Sequence, residues 1–409
     1  MFSTLGPGLI TGAADDDPSG IATYSQAGAQ FGFGTLWTAL FQFPMMAVIQ
    51  EMCARIGLVT GSGLAGIIRK KYSKNAVYPI LGLLLIANTI NIGADIGAMS
   101  ASVGILLPNF PVFSISILFT VLIVCAEIFI SYKKYVVLLK YLTLSLLAYV
   151  VTTFIIGGDW QQILIASVVP HIEFTPSFAM LFVAIFGTTI SPYLFFWQTS
   201  EEAEEDVLKN KIKEIGEGKP KIQKKEIKMM RADVVMGMAF SQMIMWFIIV
   251  TASGSLHAHG LDTVVTVDEA AKSLEPLVHT FPHSGELAKL IFALGVIGTG
   301  LLAIPILAGS SAYALSEQFG WKQGLGKKFR QAKGFYLIIV ASTIIGIWIN
   351  YSSIDPIKAL VYAAVINGVI AIPLLVTIMK IGNDKKILGS RTNGKISNII
   401  GWITVLVMG

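Results

Sequence analysis

Residues 12–21 read Gly-Ala-Ala-Asp-Asp-Asp-Pro-Ser-Gly-Ile, placing three consecutive carboxylates, Asp15, Asp16 and Asp17, inside an otherwise apolar stretch. An aspartate at the centre of a membrane-spanning helix costs roughly 2.5–3.5 kcal/mol, so three cost on the order of 9 kcal/mol. Nearby leucines and isoleucines do not recover that sum, so the acids must face protein or water. Pro18 removes a backbone donor and clashes with the carbonyl one turn back, while Gly20 tolerates a non-helical backbone, so a helix break is predicted here. A broken helix lined with acids at membrane depth is suited to holding cations, through carboxylates and through carbonyls freed by the break.

A second interruption lies at residues 187–193, Gly-Thr-Thr-Ile-Ser-Pro-Tyr, where Pro192 breaks the sixth apolar span. The two breaks are offset by five spans, an odd number, so the halves that contain them run through the membrane in opposite senses. Corresponding interruptions in inverted halves point to a transport site near the bilayer midplane. The first break offers Asp17, Asp16 and the carbonyls around Asp15 to Gly20, and the second offers the Thr188 and Ser191 hydroxyls. All are hard oxygen ligands, and neither break contains methionine, cysteine or histidine. Such a set suits Mg²⁺, Ca²⁺ or Mn²⁺ rather than a soft transition metal. The small residues Ser19 and Gly20 leave room for an ion that keeps several waters, as Mg²⁺ does. Successive helical residues fan out by about 100°, so the three aspartates share a face only if the helix unwinds. Asp17, next to the break, is the expected principal ligand, with Asp15 and Asp16 along the approach. The plainer alternatives are a packing kink at Asp17–Pro18 and inter-helix hydrogen bonding by Thr188, Thr189 and Ser191.

The elements that position these residues follow from composition. The chain has 409 residues, 54% hydrophobic and only 13% charged, against about 25% charged in soluble domains. This is a polytopic membrane protein, and runs of about 20 apolar residues predict eleven spans. They cover residues 7–30, 36–57, 76–107, 113–130, 136–156, 177–199, 232–252, 287–315, 335–349, 356–379 and 396–408. The last is short for a full crossing. The first apolar run is interrupted by acids instead of ending in a cleavage site, so it is expected to remain in the mature protein.

Arg69, Lys70, Lys71, Lys133, Lys134, Lys209 through Arg231, Lys322, Lys327, Lys328, Arg330, Lys385, Lys386, Arg391 and Lys395 all fall in loops after even-numbered spans. The positive-inside rule then places the N-terminus in the cytoplasm. The formal charge of +5 comes from these short loops, which argues against nucleic-acid binding. Residues 201–228, acids followed by lysines, read as a solvated extension of the sixth helix and a flexible linker. Cys53 and Cys125 fall within spans and serve as small apolar fillers. His171, His257, His259, His279 and His283 all fall in expected extracellular loops, where solvated histidines are the default reading. Few ionisable groups remain for an intramembrane proton relay: Glu51 and Arg55, which at four apart should pair, then Asp95 and Glu127.

Gly6-Pro7-Gly8, Asp17-Pro18, Gln26-Ala27-Gly28-Ala29, Ala54-Arg55-Ile56-Gly57 and Thr60-Gly61 resemble the opening of Nramp-family divalent-metal transporters. The similarity continues through the sixth-helix break, the Asp268-Glu269-Ala270-Ala271 loop and Ile372-Pro373-Leu374. The resemblance implies an all-α membrane protein of LeuT-like fold, with a 5+5 inverted repeat, unwound first and sixth helices and an eleventh helix. The repeats would cover residues 1–157 and 175–381, with a cytoplasmic linker at about 201–231 and the eleventh helix at 396–409. The departures matter equally. Where the family has Asp-Pro-Gly-Asn, this chain has Asp17-Pro18-Ser19-Gly20; where it has Met-Pro-His, this chain has Ser191-Pro192-Tyr193. The family's Thr-Asp-Leu-Ala-Glu corresponds to Asn91-Ile92-Gly93-Ala94-Asp95, and the ninth-helix arginines are not found.

These changes are similar to the Nramp-related magnesium transporters, which carry Mg²⁺ through a wider site without coupled protons. The resemblance thus implies an uncoupled carrier of Mg²⁺, and of Mn²⁺ less selectively, with Asp17, Gly20, Thr188, Ser191, Tyr193 and Asp16 around the ion. No enzyme activity, cofactor or obligate protein partner is expected, and the location is the cell membrane. The rivals are a proton-coupled Mn²⁺ or Fe²⁺ carrier, an ion channel, and an intramembrane aspartyl protease built on Asp17 and Asp95, which leaves the second break unexplained.

Overall fold

The computed structural model describes residues 6–129, 143–264, 266–279, 283–349 and 355–409, and every regular element among them is a helix. Seven helical stretches among the described residues are long and apolar enough to cross a membrane. The first span is two helices, α1 (Pro7–Asp15) and α2 (Pro18–Phe31), followed by α3 (Trp37–Thr60), the short basic α4 (Leu64–Lys71), α5 (Lys74–Gly104) and α6 (Val112–Phe129). Residues 136–142 of the fifth expected span, with Lys133 and Lys134 before it, lie outside the described residues; its remainder leads into α7 (Leu147–Ile156). Then come α8 (Trp160–Val168), the divided sixth span α9 (Pro176–Thr189) and α10 (Pro192–Leu208), and α11 (Lys224–Ser255). The chain continues through α12 (Val267–Lys272), α13 (Ser284–Phe319), α14 (Lys333–Ile349), α15 (Pro356–Gly382) and α16 (Lys395–Met408).

Both breaks are bounded by a proline at the first helical turn, where its missing N–H costs nothing. Around them the helices approach closely because the contact residues are glycines. A Cβ at Gly12 of α1 would run into the Gly237 carbonyl of α11, and one at Gly187 of α9 into the Ala364 carbonyl of α15. At its N-terminal end α1 is clasped by Asp233 of α11, whose carboxylate accepts from Gly6 N at 3.1 Å and Gly8 N at 2.7 Å. These two devices, small-residue contact and an acid on orphan amides, seat α1 on α11.

Three features differ from the sequence reading. The helices α4 and α8 occupy stretches assigned to loops. Residues Asp268–Ala271 are helical within α12, because Thr266 and Glu269 form a reciprocal capping box.

The third difference is the largest. The acidic stretch after residue 200 is predicted to be a solvated helix extension, but Glu201, Glu202, Glu204 and Asp206 are buried on α10. Glu204 accepts from Leu325 N at 3.0 Å, Gly326 N at 2.6 Å and the Tyr313 hydroxyl. Nearby, Glu317 of α13 accepts from Gly66 N at 2.8 Å and from Ser200 and Gln323, and Lys211 pairs with Asp206 at 2.9 Å. The linker also packs, with Ile212 buried and Gly216 N donating to Gly61 O at 2.6 Å. Backbone amides from neighbouring loops supply the donors, and a reading of side-chain charge alone does not register them.

The paired Glu51 and Arg55 meet at 3.0 Å, as their spacing predicts. Arg231 joins Glu51 at 2.8 Å, and Arg55 reaches the Arg391 carbonyl and Asn393 Oδ1, tying α3 to α11 and to the turn before α16.

Candidate metal-ion site

The two breaks have nearly the same backbone. In the first, Asp16 leaves helical geometry at φ −84°, ψ 48°, and Asp17 is extended at ψ 174° before Pro18. In the second, Ile190 turns at φ −104°, ψ 58°, and Ser191 is extended at ψ 137° before Pro192. Each pair of residues ends one half-helix and caps the next, so Asp17 and Ser191 hold equivalent positions. Gly20, expected in unwound chain, instead sits in the first turn of α2. Its amide donates to Asp17 Oδ1 at 2.8 Å, which explains why the break ends there.

Asp17 is the centre of the polar contacts. Its Oδ1 accepts from Ser19 Oγ at 2.5 Å as well as from Gly20 N, and its Oδ2 accepts from Asn91 Nδ2 of α5 at 3.3 Å. Since Ser19 gives its proton to Asp17, Thr188 Oγ1, 3.0 Å away, donates to Ser19. A chain Thr188 to Ser19 to Asp17 therefore joins the two breaks and orients the carboxylate, leaving lone pairs on Oδ2 and Thr188. Tyr24 and Thr189 make a second link at 2.9 Å.

Ser191 Oγ donates back to the carbonyls of Gly187 and Thr188, each at 2.7 Å, and keeps its lone pairs. Tyr193 OH donates to the Ala14 carbonyl at 3.1 Å, pinning the end of α1 to α10. Asp16 faces away from this set. It shares Ser241 of α11 with Asp15, Ser241 Oγ lying 2.5 Å from Asp15 Oδ2 and 3.4 Å from Asp16 Oδ1.

The structure thus brings Asp17, Gly20 and Thr188 into one hydrogen-bonded group, sets Ser191 and Tyr193 at its second-break wall, and places Asp16 with Asp15 on the α11 side. Asp15, Asp16, Asp17, Ser19, Thr188, Ser191 and Tyr193 are each at most 2% exposed, so the site is closed to both membrane faces. Asp15 Oδ1, Asp16 Oδ2, Asn91 Oδ1 and both oxygens of Asp95 are buried with no protein hydrogen-bond partner. Buried acceptors normally find donors, and a concentration of unmatched oxygens on and around a broken helix is a set that a cation or added protons would complete. Sequence reasoning passes over Asn91 and Ser241 as hydrogen-bond partners of the three aspartates. For Ser241 the available signal is its place four residues after Gly237 on a span, a small-residue spacing that marks a packed helix face.

Comparison with known proteins shows the family and the fold. The family described as "Natural resistance-associated macrophage protein-like" matches residues 8–409. The divalent metal cation transporter MntH of Pectobacterium carotovorum is 22% identical over 100% of this chain and 92% of its own length. Its counterpart in Yersinia pestis is 24% identical over 100% and 93%. Among solved structures, the Eremococcus coleocola manganese transporter superposes with a TM-score of 0.70 at 16% identity, covering 99% of this chain and 84% of that one. MhsT, solved in complex with L-phenylalanine, gives 0.62 at 13% identity over 98% of both chains. Mhp1, a transporter of the nucleobase-cation-symport-1 family, gives 0.60 at 11%, covering 99% and 91%. These neighbours share the fold of this chain, which is LeuT-like with divided first and sixth helices, and on the match over residues 8–409 the chain belongs to the Nramp family.

Proposed function

We propose that the chain is a carrier of divalent metal cations and that its preferred ion is Mg²⁺, with Mn²⁺ accepted less selectively. The observation that carries this reading is the ligand set: Asp17, Thr188, Ser191 and the break carbonyls are all hard oxygens, and Ser191 and Tyr193 occupy the positions where the family has a thioether and an imidazole. Without a sulfur ligand, nothing in the breaks favours a soft metal over Mg²⁺. One full carboxylate and several neutral oxygens suit an ion that retains part of its water shell. Transport proceeds by alternating access, driven by the ion's own gradient, with no enzyme chemistry, cofactor or obligate partner. Two inverted five-helix repeats, residues 1–157 and 175–381, and the helix at 396–409 form the moving parts. The basic loops lie in the cytoplasm, with the N-terminus on the same side of the cell membrane.

One observation favours a second reading, proton-coupled Mn²⁺ transport. Asp95 is fully buried with both oxygens lacking a protein partner, a placement suited to a proton carrier. Uptake into liposomes of purified protein, read with an internal Mg²⁺ dye beside a pH dye at fixed membrane potential, separates the two. Mg²⁺ entry without acidification is the expected result. Mn²⁺ entry with acidification and no Mg²⁺ entry would establish the second reading.

A further inference from the structure

At the end of the bundle that carries the basic loops, α4, α15 and α16 enclose an open cleft of about 720 Å³. Lys71, Tyr72, Lys380, Lys385, Lys386 and Trp402 line it, along with Asp384. Asp384 takes Lys71, at 2.7 Å. The other three lysines are exposed, and among the described residues no carboxylate lies within ion-pair distance of any of them. The cleft therefore carries an uncompensated positive charge facing one space. Tyr72 is also on this wall, with its hydroxyl buried and without a hydrogen-bond partner, and the Lys71 ammonium stands 5.9 Å from its ring. Trp402 is 45% exposed beside the cleft, and tryptophan is a residue enriched at membrane–water boundaries.

Cationic charge alone would fit any soluble anion, but a second cavity decides otherwise. A groove of about 290 Å³ shares Tyr72 with the cleft and is otherwise lined by Ile68, Ile80, Pro373, Val376 and Thr377. On α15, Val376 and Pro373 lie one and two turns before Lys380. At 1.5 Å per residue the groove therefore runs about 6–10 Å from the level of the lysines into the apolar part of the helix. A polar, cationic chamber opening onto an apolar slot that descends toward the hydrocarbon has the shape of an amphiphile.

We propose that the two cavities together hold one anionic phospholipid. Its phosphate sits among Lys380, Lys385 and Lys386, and the upper part of an acyl chain lies against Tyr72 in the groove between α4, α5 and α15. The bound lipid braces α16 against α15, beside the turn whose Arg391 carbonyl and Asn393 side chain anchor Arg55. The test uses the full chain in phosphatidylcholine vesicles, alone or mixed with phosphatidylglycerol, with native mass spectrometry and thermal unfolding as readouts. The wild type should keep one phosphatidylglycerol per chain and unfold several degrees higher in the mixed vesicles. The variant Lys380→Gln/Lys385→Gln/Lys386→Gln changes only exposed side chains, so its midpoint in phosphatidylcholine should match the wild type. Its retention of phosphatidylglycerol should fall roughly a hundredfold, at about 1 kcal/mol per lysine. Val376→Trp, which fills the groove, should weaken retention without touching the charge. The proposal is overturned if the wild type retains no phosphatidylglycerol, or if inorganic phosphate alone reproduces the stabilisation. Equal retention by either variant overturns it as well.

Discussion

Two groups of carboxylates are buried in this protein, and they are buried differently. On α10 and α13, Glu204 and Glu317 are surrounded by donors: two loop amides and a tyrosine for one, the amide at the start of α4 and two side chains for the other. At the first-helix break, Asp15 and Asp16 share a single serine, and neither oxygen of Asp95 has a protein partner. Glu204 and Glu317 are complete as protein. The acids at and around the break are short of donors, a shortfall that fits the proposed ion site, although it is shared by Asp206 Oδ2 and by Glu127 away from the break. Asp17 stands between the two: three donors orient it, and its Oδ2 has the weakest of them.

The comparison is broken most forcefully by removing one acid from each group. Glu204→Ala leaves the Leu325 and Gly326 amides without an acceptor, at about 1–3 kcal/mol for each buried group, and leaves the Tyr313 hydroxyl only its longer bond to Glu201, at 3.4 Å. Thermal unfolding should show a loss of many degrees, and a variant as stable as the wild type would show the network to be dispensable. Asp17→Asn keeps an oxygen to cap α2 while removing the charge, and Asp17→Ala removes both. Both should abolish ion uptake in liposomes, while Asp17→Asn unfolds within a few degrees of the wild type. Normal uptake by either variant ends the assignment of Asp17 as principal ligand.

A smaller effect sharpens the contrast between the two breaks. They share a backbone but not a charge, and Ser191 is the counterpart of Asp17. Ser191→Met puts a thioether on the second wall, so competition by Cd²⁺ or Mn²⁺ against Mg²⁺ should strengthen by about tenfold or more, as soft-ligand preference predicts. An unchanged ion profile would mean that the second break does not touch the ion. The variant also loses the Ser191 bonds to the carbonyls of Gly187 and Thr188, so unfolding of the variant must be followed alongside.

Both breaks and the acids at the first of them are legible in the residues. Pro18 and Pro192 locate the breaks, because a proline at the first turn of a helix is fixed by local covalent geometry. Three acids in an apolar run mark the candidate site, because their insertion cost rules out a lipid-facing helix. What stays out of reach depends on the third dimension. That Asp16 turns from Asp17 toward Ser241 depends on how α1 sits on α11, and the partners of the buried Glu204 are loop amides some 120 residues away in the chain. Gly20 illustrates a local misreading: a glycine next to a break is as compatible with the first helical turn as with unwound chain, and the Asp17 cap decides the matter.

The smallest effect is expected at the rim of the scaffold group, where Glu214 meets Lys327 at 2.9 Å. The hydrogen bond from Lys327 holds the Glu214 carboxyl below its ordinary value of 4.5. A carboxyl depressed in the folded state binds protons more readily once unfolded, so its contribution to stability is present in full above pH 4.5 and is lost as pH falls through the folded-state value. With the Glu214 side chain 35% exposed, screening limits the contribution to a few tenths of a kcal/mol. Lys327→Gln should therefore unfold slightly below the wild type near neutral pH, and the two should converge in acid. Had Glu204 owed its burial to the same lysine, the gap would be large and Lys327→Gln would approach Glu204→Ala. A small, acid-sensitive gap separates the exposed pair from the buried network, whose donors are amides and a hydroxyl that carry no charge to lose.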